Sequence, residues 1–210
     1  AVVQQVAGDK ATIGNASYGT VHSAADVKSL AVNGFDVSSS KGSYPLRRSF
    51  YLAYSGRLSD LEQDFLTYVT GAGQELVGKS FGAVAKADRF VSNQAAGELK
   101  IVGSTSVAPL MSELAAAYEG INTHADISVV PSNSADGLTR TMQGECDFGM
   151  ASRELKDYEK ELLNYRLIAH DDIVVIVNKA NPLNNITLEQ LKEIYMGKAI
   201  GWQDLYQNKQ

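Results

Sequence analysis

Residues 99–119 read LKIVGSTSVAPLMSELAAAYE, and this stretch decides the fold. Leu99, Ile101 and Val102 make a short apolar strand that ends in the polar turn Gly103-Ser104-Thr105-Ser106. A helix follows: Val107, Leu110, Leu114 and Ala117 recur at the spacing that lines one helical face. Pro109 falls in its first turn, where a missing N–H costs nothing. Toward the C-terminus the same arrangement recurs. Ile127 to Val130 predicts a strand, Pro131-Ser132-Asn133-Ser134 a turn, and a helix then carries Leu138 and Met142 inward. Asp147 to Ala151 predicts a short strand, Ala151-Ser152-Arg153-Glu154 a turn, and a helix sets Leu155, Tyr158 and Leu162 on one side. The apolar run IVVIV at 173–177 reads as a strand covered on both faces. Thr187 then caps a helix whose inner face is Leu188, Leu191 and Ile194. Toward the N-terminus, residues 91–98 (VSNQAAGE) are small, polar and aperiodic, and read as a linker. Leu58, Leu61, Phe65 and Val69 predict a helix behind a cap at Ser59-Asp60, punctuated by Gly71 and Gly73, with a short helix starting at Gln74. The aromatic segment 49–54 (SFYLAY) is a strand opened by Tyr44-Pro45-Leu46, and residues 11–18 are a weak strand broken at Gly14. Strands alternating with helices define an α/β fold.

Composition excludes several classes of protein. The chain has 210 residues, long enough to bury a sizeable core, and a formal net charge of −5. No basic cluster is denser than Arg47-Arg48, so nucleic acid is an unsuitable partner. No apolar run reaches the ~20 residues of a membrane span. The opening AVVQQVAGDK lacks the basic and apolar regions of a signal peptide, so any export signal lies outside this chain. The one cysteine, Cys146, excludes an intramolecular disulfide and reads as a small buried hydrophobe. His22, His124 and His170 are scattered without the spacing of a metal site.

The three turns carry the chemistry. Each places hydroxyls and unpaired backbone N–H groups at a helix N-terminus, and in a parallel sheet those ends gather along the carboxyl edge of the strands. Several converging ends make an oxyanion site without lysines, which reconciles an anionic ligand with an acidic chain. Ser, Thr and Asn are also ordinary helix caps, so spacing alone leaves a purely structural role open.

Two other motifs fail on context. Residues 73–80 (GQELVGKS) spell a P-loop, but a helix precedes them where a buried strand is required. His170 beside Asp171-Asp172 has no nucleophile to serve, and no GxSxG elbow is present, which disfavours an enzyme. Trp202 reads as a packing residue rather than a ligand platform.

Residues 99–205 resemble the N-terminal half of the phosphate-binding proteins of ABC transporters. The segments are LKIVGSTSVAPLMSELAAAYE, SNSADGL (132–138), GECDFGMASRELK (144–156), IAHDDIVVIVNKANPL (168–183) and ITLEQLKEIYMGKAIGWQDL (186–205). The segments ATIGNASYGTV (11–21), VKSLAVNG (27–34), GSYPLRRSFYLAY (42–54) and LEQDFLTYVTGAGQELV (61–77) resemble that family's C-terminal half. The halves therefore stand in reversed order, as in a circular permutant or the junction of two tandem units. The resemblance implies a periplasmic-binding-protein-like α/β fold of type II, with two lobes joined by hinge strands carrying YPL…SFYLAY and IVVIVN. It implies residues 1–40 in the second lobe, 41–90 as a return to the first, 91–98 as linker, 99–177 as the first lobe and 178–210 as the start of the second.

The family's Arg-Glu-x-x-Ser-Gly-Thr-Arg loop does not occur in these residues, so the second lobe is expected to be truncated and its closure weak. Carried over by position, Ser104, Thr105, Ser106, Ser134, Ser152 and Arg153 are the expected phosphate ligands. Asp171 is the nearest substitute for an aspartate that some relatives place in line with Ser152 to accept the proton of HPO₄²⁻. Arg153 would offer a planar cationic fork, unless it pairs with Glu154 or Asp157. The implied function is capture of inorganic phosphate as the solute-binding component of an ABC importer, with no cofactor, no metal and no catalysis. Transporter permease subunits are the implied partners, and the implied location is periplasmic or extracellular, as a lipoprotein at the cell surface. Sulfate binding, and a scaffold with a vestigial anion site, are the alternatives. Self-association or domain swapping would follow from an exposed face in a truncated lobe.

Overall fold

The computed structural model describes residues 2–21, 24–39, 43–198, 201, 202 and 205. The chain divides into two compact units, residues 1–47 with 171–210, and residues 48–170. The first unit opens with α1 (Val2–Gly8), β1 (Ile13–Ser17), α2 (Tyr18–Val21) and β2 (Val27–Val32). Strand β3 (Arg47–Tyr54) leads into the second unit. That unit holds α3 (Asp60–Thr70), α4 (Gln74–Val77), β4 (Gly97–Ser104), α5 (Ala108–Glu119), β5 (Ala125–Ser132), α6 (Ser134–Met142), β6 (Phe148–Ala151) and α7 (Asp157–Leu162). Strand β7 (Asn164–Asn178) leads back to the first unit, which closes with β8 (Asn185–Ile186) and α8 (Leu188–Tyr195).

In the second unit β4 pairs in parallel with β5, Gly97 opposite Ala125 through Ser104 opposite Ser132, and in parallel with β6, Ile101 opposite Phe148. Strand β3 runs antiparallel to β6, with Tyr51 opposite Ala151. Alternation along β3 assigns its faces: Phe50 and Leu52 join one core, Tyr51 and Ala53 another. The larger core packs Leu99, Ile101, Phe148 and Met150 beneath Phe65 and Val69 of α3 and Leu110, Leu114 and Tyr118 of α5. The smaller one sets Tyr51, Ala53 and Ala151 against Leu138 of α6. Each such large side chain, fully buried, contributes about 1.5–3 kcal/mol. Helix α3 starts with a capping box in which the Ser59 hydroxyl accepts from the Glu62 amide and the Glu62 carboxylate accepts from the Ser59 amide.

The first unit is built on the C-terminal part of β7. Strand β1 pairs antiparallel with it, Ile13 opposite Val177, as does β2, Val27 opposite Asn178, and β8 adds in parallel to β2. Val174, Val175, Ile176 and Val177 are all buried, as the unbroken apolar run requires.

Several expectations fail for physical reasons. The units change over at residues 47/48 and 170/171, within β3 and β7, rather than at 40/41 and 177/178. A strand that changes partners midway shows no break in its own pattern. Residues 91–98 are not a free linker, because a buried polar network fixes them inside the second unit. The Asp64 carboxylate accepts from Ser92 Oγ (2.6 Å), the Asn93 amide (3.1 Å) and Tyr118 Oη (2.7 Å), while Asn122 Nδ2 donates to the Ala95 carbonyl (2.8 Å). Strand β1 runs through Gly14 instead of breaking there. Helix α1, which has one buried side chain, Val6, is too short to show a period. Helix α7 buries Glu159 and leaves Tyr158 and Leu162 exposed at 49% and 62%. Leu188, at the first position after its Thr187 cap, also faces outward, while Leu191 is buried.

Candidate anion-binding site

Parallel pairing of β4 with β5 and β6 brings their C-terminal ends to one edge, and two glycines set how closely they meet. Gly103 sits at φ +141°, and a Cβ there would stand 2.3 Å from the Met150 carbonyl oxygen. At Gly137, in the first turns of α6, a Cβ would stand 2.5 Å from the Val102 carbonyl oxygen. Only glycine lets α6 lie directly against β4, and β4 against β6, at this edge. The three serine turns therefore converge.

Ser104 Oγ donates to Ser152 Oγ at 2.9 Å, and the Ser152 amide donates to Ser134 Oγ at 3.2 Å. The Ser106 amide donates to Ser104 Oγ at 3.3 Å. Ser104 is buried, Ser106, Ser134 and Ser152 are half-buried, and Thr105 is exposed at the tip of its turn. Helix α5 has no side-chain cap at its N-terminus. Helix α6 is capped by Asn133, whose Oδ1 accepts from the Asp136 amide at 2.9 Å. The amides of Ser134 and Ala135 then have no acceptor within the helix. Ser132 stands apart from the cluster, its hydroxyl donating to the Asn133 carbonyl at 3.4 Å. The edge is thus a set of hydroxyls and amides joined to one another at two helix N-termini, suited to an anion that accepts hydrogen bonds.

Arg153 is engaged otherwise than expected. Its Nη1 donates to the Glu154 carbonyl (2.9 Å) and to Glu159 (2.7 Å), and its Nη2 donates to the second oxygen of Glu159 (2.8 Å). The partner is Glu159, neither Glu154 nor Asp157 as its carboxylate. Glu159 is 1% exposed, and the guanidinium beside it holds its carboxyl down at about 2. Glu159 is the one residue of this region that pattern reading passed over. It sits on the helix face where apolar spacing pointed to Tyr158, and no motif links positions 153 and 159. Asp171 belongs to the first unit, not to the serine cluster; it is buried and accepts a hydrogen bond from Ser17 Oγ. The neighbouring Asp172 forms a two-point ion pair with Arg47, at 2.7 and 2.9 Å.

The remaining candidates have structural roles. The GQELVGKS motif lies on α4, directly behind α3, with no strand before it. Its Gln74 is buried and donates to the carbonyls of Val69 (2.9 Å) and Ile168 (3.0 Å). Burial pushes the Cys146 thiol up, and Thr141 Oγ1 lies 3.3 Å from its sulfur. His170 Nδ1 is 3.4 Å from Ser49 Oγ. Trp202 packs against the apolar core of the first unit and donates to the Ala11 carbonyl at 2.9 Å. His22 lies outside the described residues. No group of His, Cys, Asp and Glu among the described residues could hold a metal ion.

Fold and site together define a periplasmic-binding-type α/β protein with an anion-accepting edge, and the model of the PBP superfamily domain matches residues 91–210. The phosphate-binding protein PstS 2 of Streptococcus pneumoniae is 34% identical over 207 residues, covering 96% of this chain and 70% of the relative. The protein of the same designation from Streptococcus agalactiae is 33% identical over 95% of this chain and 70% of its own length. A crystal structure of the phosphate-binding protein of a phosphate ABC transporter from S. pneumoniae superposes with a TM-score of 0.86 at 34% identity, covering 96% of this chain and 80% of that one. The chain belongs to the PstS family of phosphate-binding proteins.

Proposed function

We propose that this chain binds inorganic phosphate as the solute-binding component of an ABC importer, by hydrogen bonding and without catalysis. The observation that carries the reading is the junction of Ser104, Ser134 and Ser152, from three separate turns, at the N-termini of α5 and α6. With phosphate present, the hydroxyls of Ser104, Thr105, Ser106, Ser134 and Ser152 turn to the phosphate oxygens, which also accept from the first amides of α6. The importer's permease subunits are the natural partners, on the outer face of the membrane.

Isothermal titration of the chain with phosphate, then sulfate, tests the reading. Micromolar phosphate binding is expected, weakened about tenfold or more by Ser134→Ala, the loss of one hydrogen bond to a charged group. Equal binding of sulfate would make the chain a general oxyanion binder. Silence with both anions, from a folded chain, would refute the reading.

A further inference from the structure

We propose that Glu159 is the positioning residue of the oxyanion edge, acting through Arg153 to hold the Ser152 turn where its hydroxyl and amide meet Ser104 and Ser134. The inference rests on the phosphate-binding reading above but is carried by its own geometry. Residues 152–156 join β6 to α7 without regular structure, and the bonds from Ser152 to its two serine neighbours are between neutral groups. The Glu159 carboxylate fixes the segment at both ends. Glu159 receives both Nη atoms of Arg153 at the start of the turn and the Lys156 amide, at 2.7 Å, at its end. Glu154, between them, accepts from Tyr51 Oη of β3, which ties the middle of the segment to the sheet. Neighbouring residues thus reach the scaffold through three anchors, while Ser152 is left to face the other turns.

The charge arrangement follows. Among residues 103–106, 131–134 and 151–154 the one cation is Arg153, and Glu159 matches it at two points. The edge therefore holds an anion through neutral donors and helix ends, and Arg153 orients the turn rather than supplying free charge. Binding of this kind depends weakly on salt, because no exposed ion pair is formed with the ligand.

The test uses Arg153→Met, Glu159→Gln and the double variant. Two readouts are taken, phosphate titration at low and high salt and amide hydrogen exchange by NMR. Each single variant is expected to weaken phosphate binding about tenfold, and the double variant to be no weaker than the worse single one, because the two side chains act as one unit. The double variant also leaves no uncompensated buried charge, so it covers the case in which a single variant folds poorly. Protection of the Ser152 amide is expected to fall about tenfold in each single variant while that of Ile101, in the middle of β4, is unchanged; a general loss of stability would lower both. Loss of binding in Arg153→Met with wild-type binding in Glu159→Gln would overturn the proposal and make Arg153 a direct ligand. Unchanged Ser152 protection in Glu159→Gln would overturn it whatever the titrations show. A wild-type chain that ignores phosphate, with the exchange result as expected, would sink the phosphate reading and leave the positioning role standing.

Discussion

Replacing Gly137 with alanine tests the contact that makes the three turns converge. The added methyl would lie 2.5 Å from the Val102 carbonyl oxygen, 2.6 Å from Gly103 Cα and 3.0 Å from the Val102 carbonyl carbon. All three atoms are backbone, so no side chain can swing aside. Restoring an ordinary 3.4 Å contact from 2.5 Å requires α6 to withdraw by about 0.9 Å. Ser134, at the start of α6, withdraws with it, and its 3.2 Å bond from the Ser152 amide then passes the usual limit. Overpacking of this kind costs up to about 3 kcal/mol, offset by about 1 kcal/mol of better helix propensity. The net of about 2 kcal/mol lowers Tm by about 4–8 °C for a chain of this size. Phosphate affinity should fall about tenfold or more with the lost serine contact. The assays are thermal unfolding and titration, with Gly8→Ala as control, since nothing lies within 4 Å of a Cβ there. A Gly137→Ala chain with wild-type Tm and wild-type affinity would refute the argument that backbone contact between α6 and β4 sets the site.

Three further outcomes follow from the same structure. The Glu159 carboxyl titrates at about 2 in the folded chain against an ordinary 4.5, so its contribution is complete above pH 4.5 and is lost as pH falls toward 2. Urea midpoints measured across that window should therefore fall less steeply for Glu159→Gln than for the wild type, and coincident slopes would refute the assignment. The Cys146 thiol, pushed up by burial, should react with a disulfide reagent slowly in the native chain and quickly in urea; fast native reaction would contradict its placement. Asp64→Ala removes the acceptor for Ser92, Asn93 and Tyr118 and strands a buried phenol, at a cost of about 3 kcal/mol. Trypsin should then cut after Arg89 faster than in the wild type, and an unchanged cleavage rate would show that the network does not hold residues 91–98.

The strand–turn–helix arrangement was legible because each of its signals is local. Val107, Leu110 and Leu114 mark the buried face of α5, IVVIV marks a strand covered on both sides, and Ser59 and Thr187 cap the helices they precede. Ser104, Ser134 and Ser152 could be singled out for the same reason, since each follows a strand and opens a helix or turn. Long-range pairing is not local, and it decided the rest. Glu159 took the inward position expected of Tyr158 because a carboxylate bound by two Arg153 nitrogens tolerates burial that pattern reading denies it. Residues 91–98 lack any period, yet Asp64 and Asn122, distant in sequence, fix them. Sequence alone thus determined most strands and helices from residue 49 onward and which turns carry hydroxyls, through periodicity and capping along neighbouring residues. Only the tertiary structure decided how closely the three turns meet at their shared edge and that Arg153 answers to Glu159. Those facts depend on glycine-permitted backbone contacts and on charge pairing between residues that no short-range pattern connects.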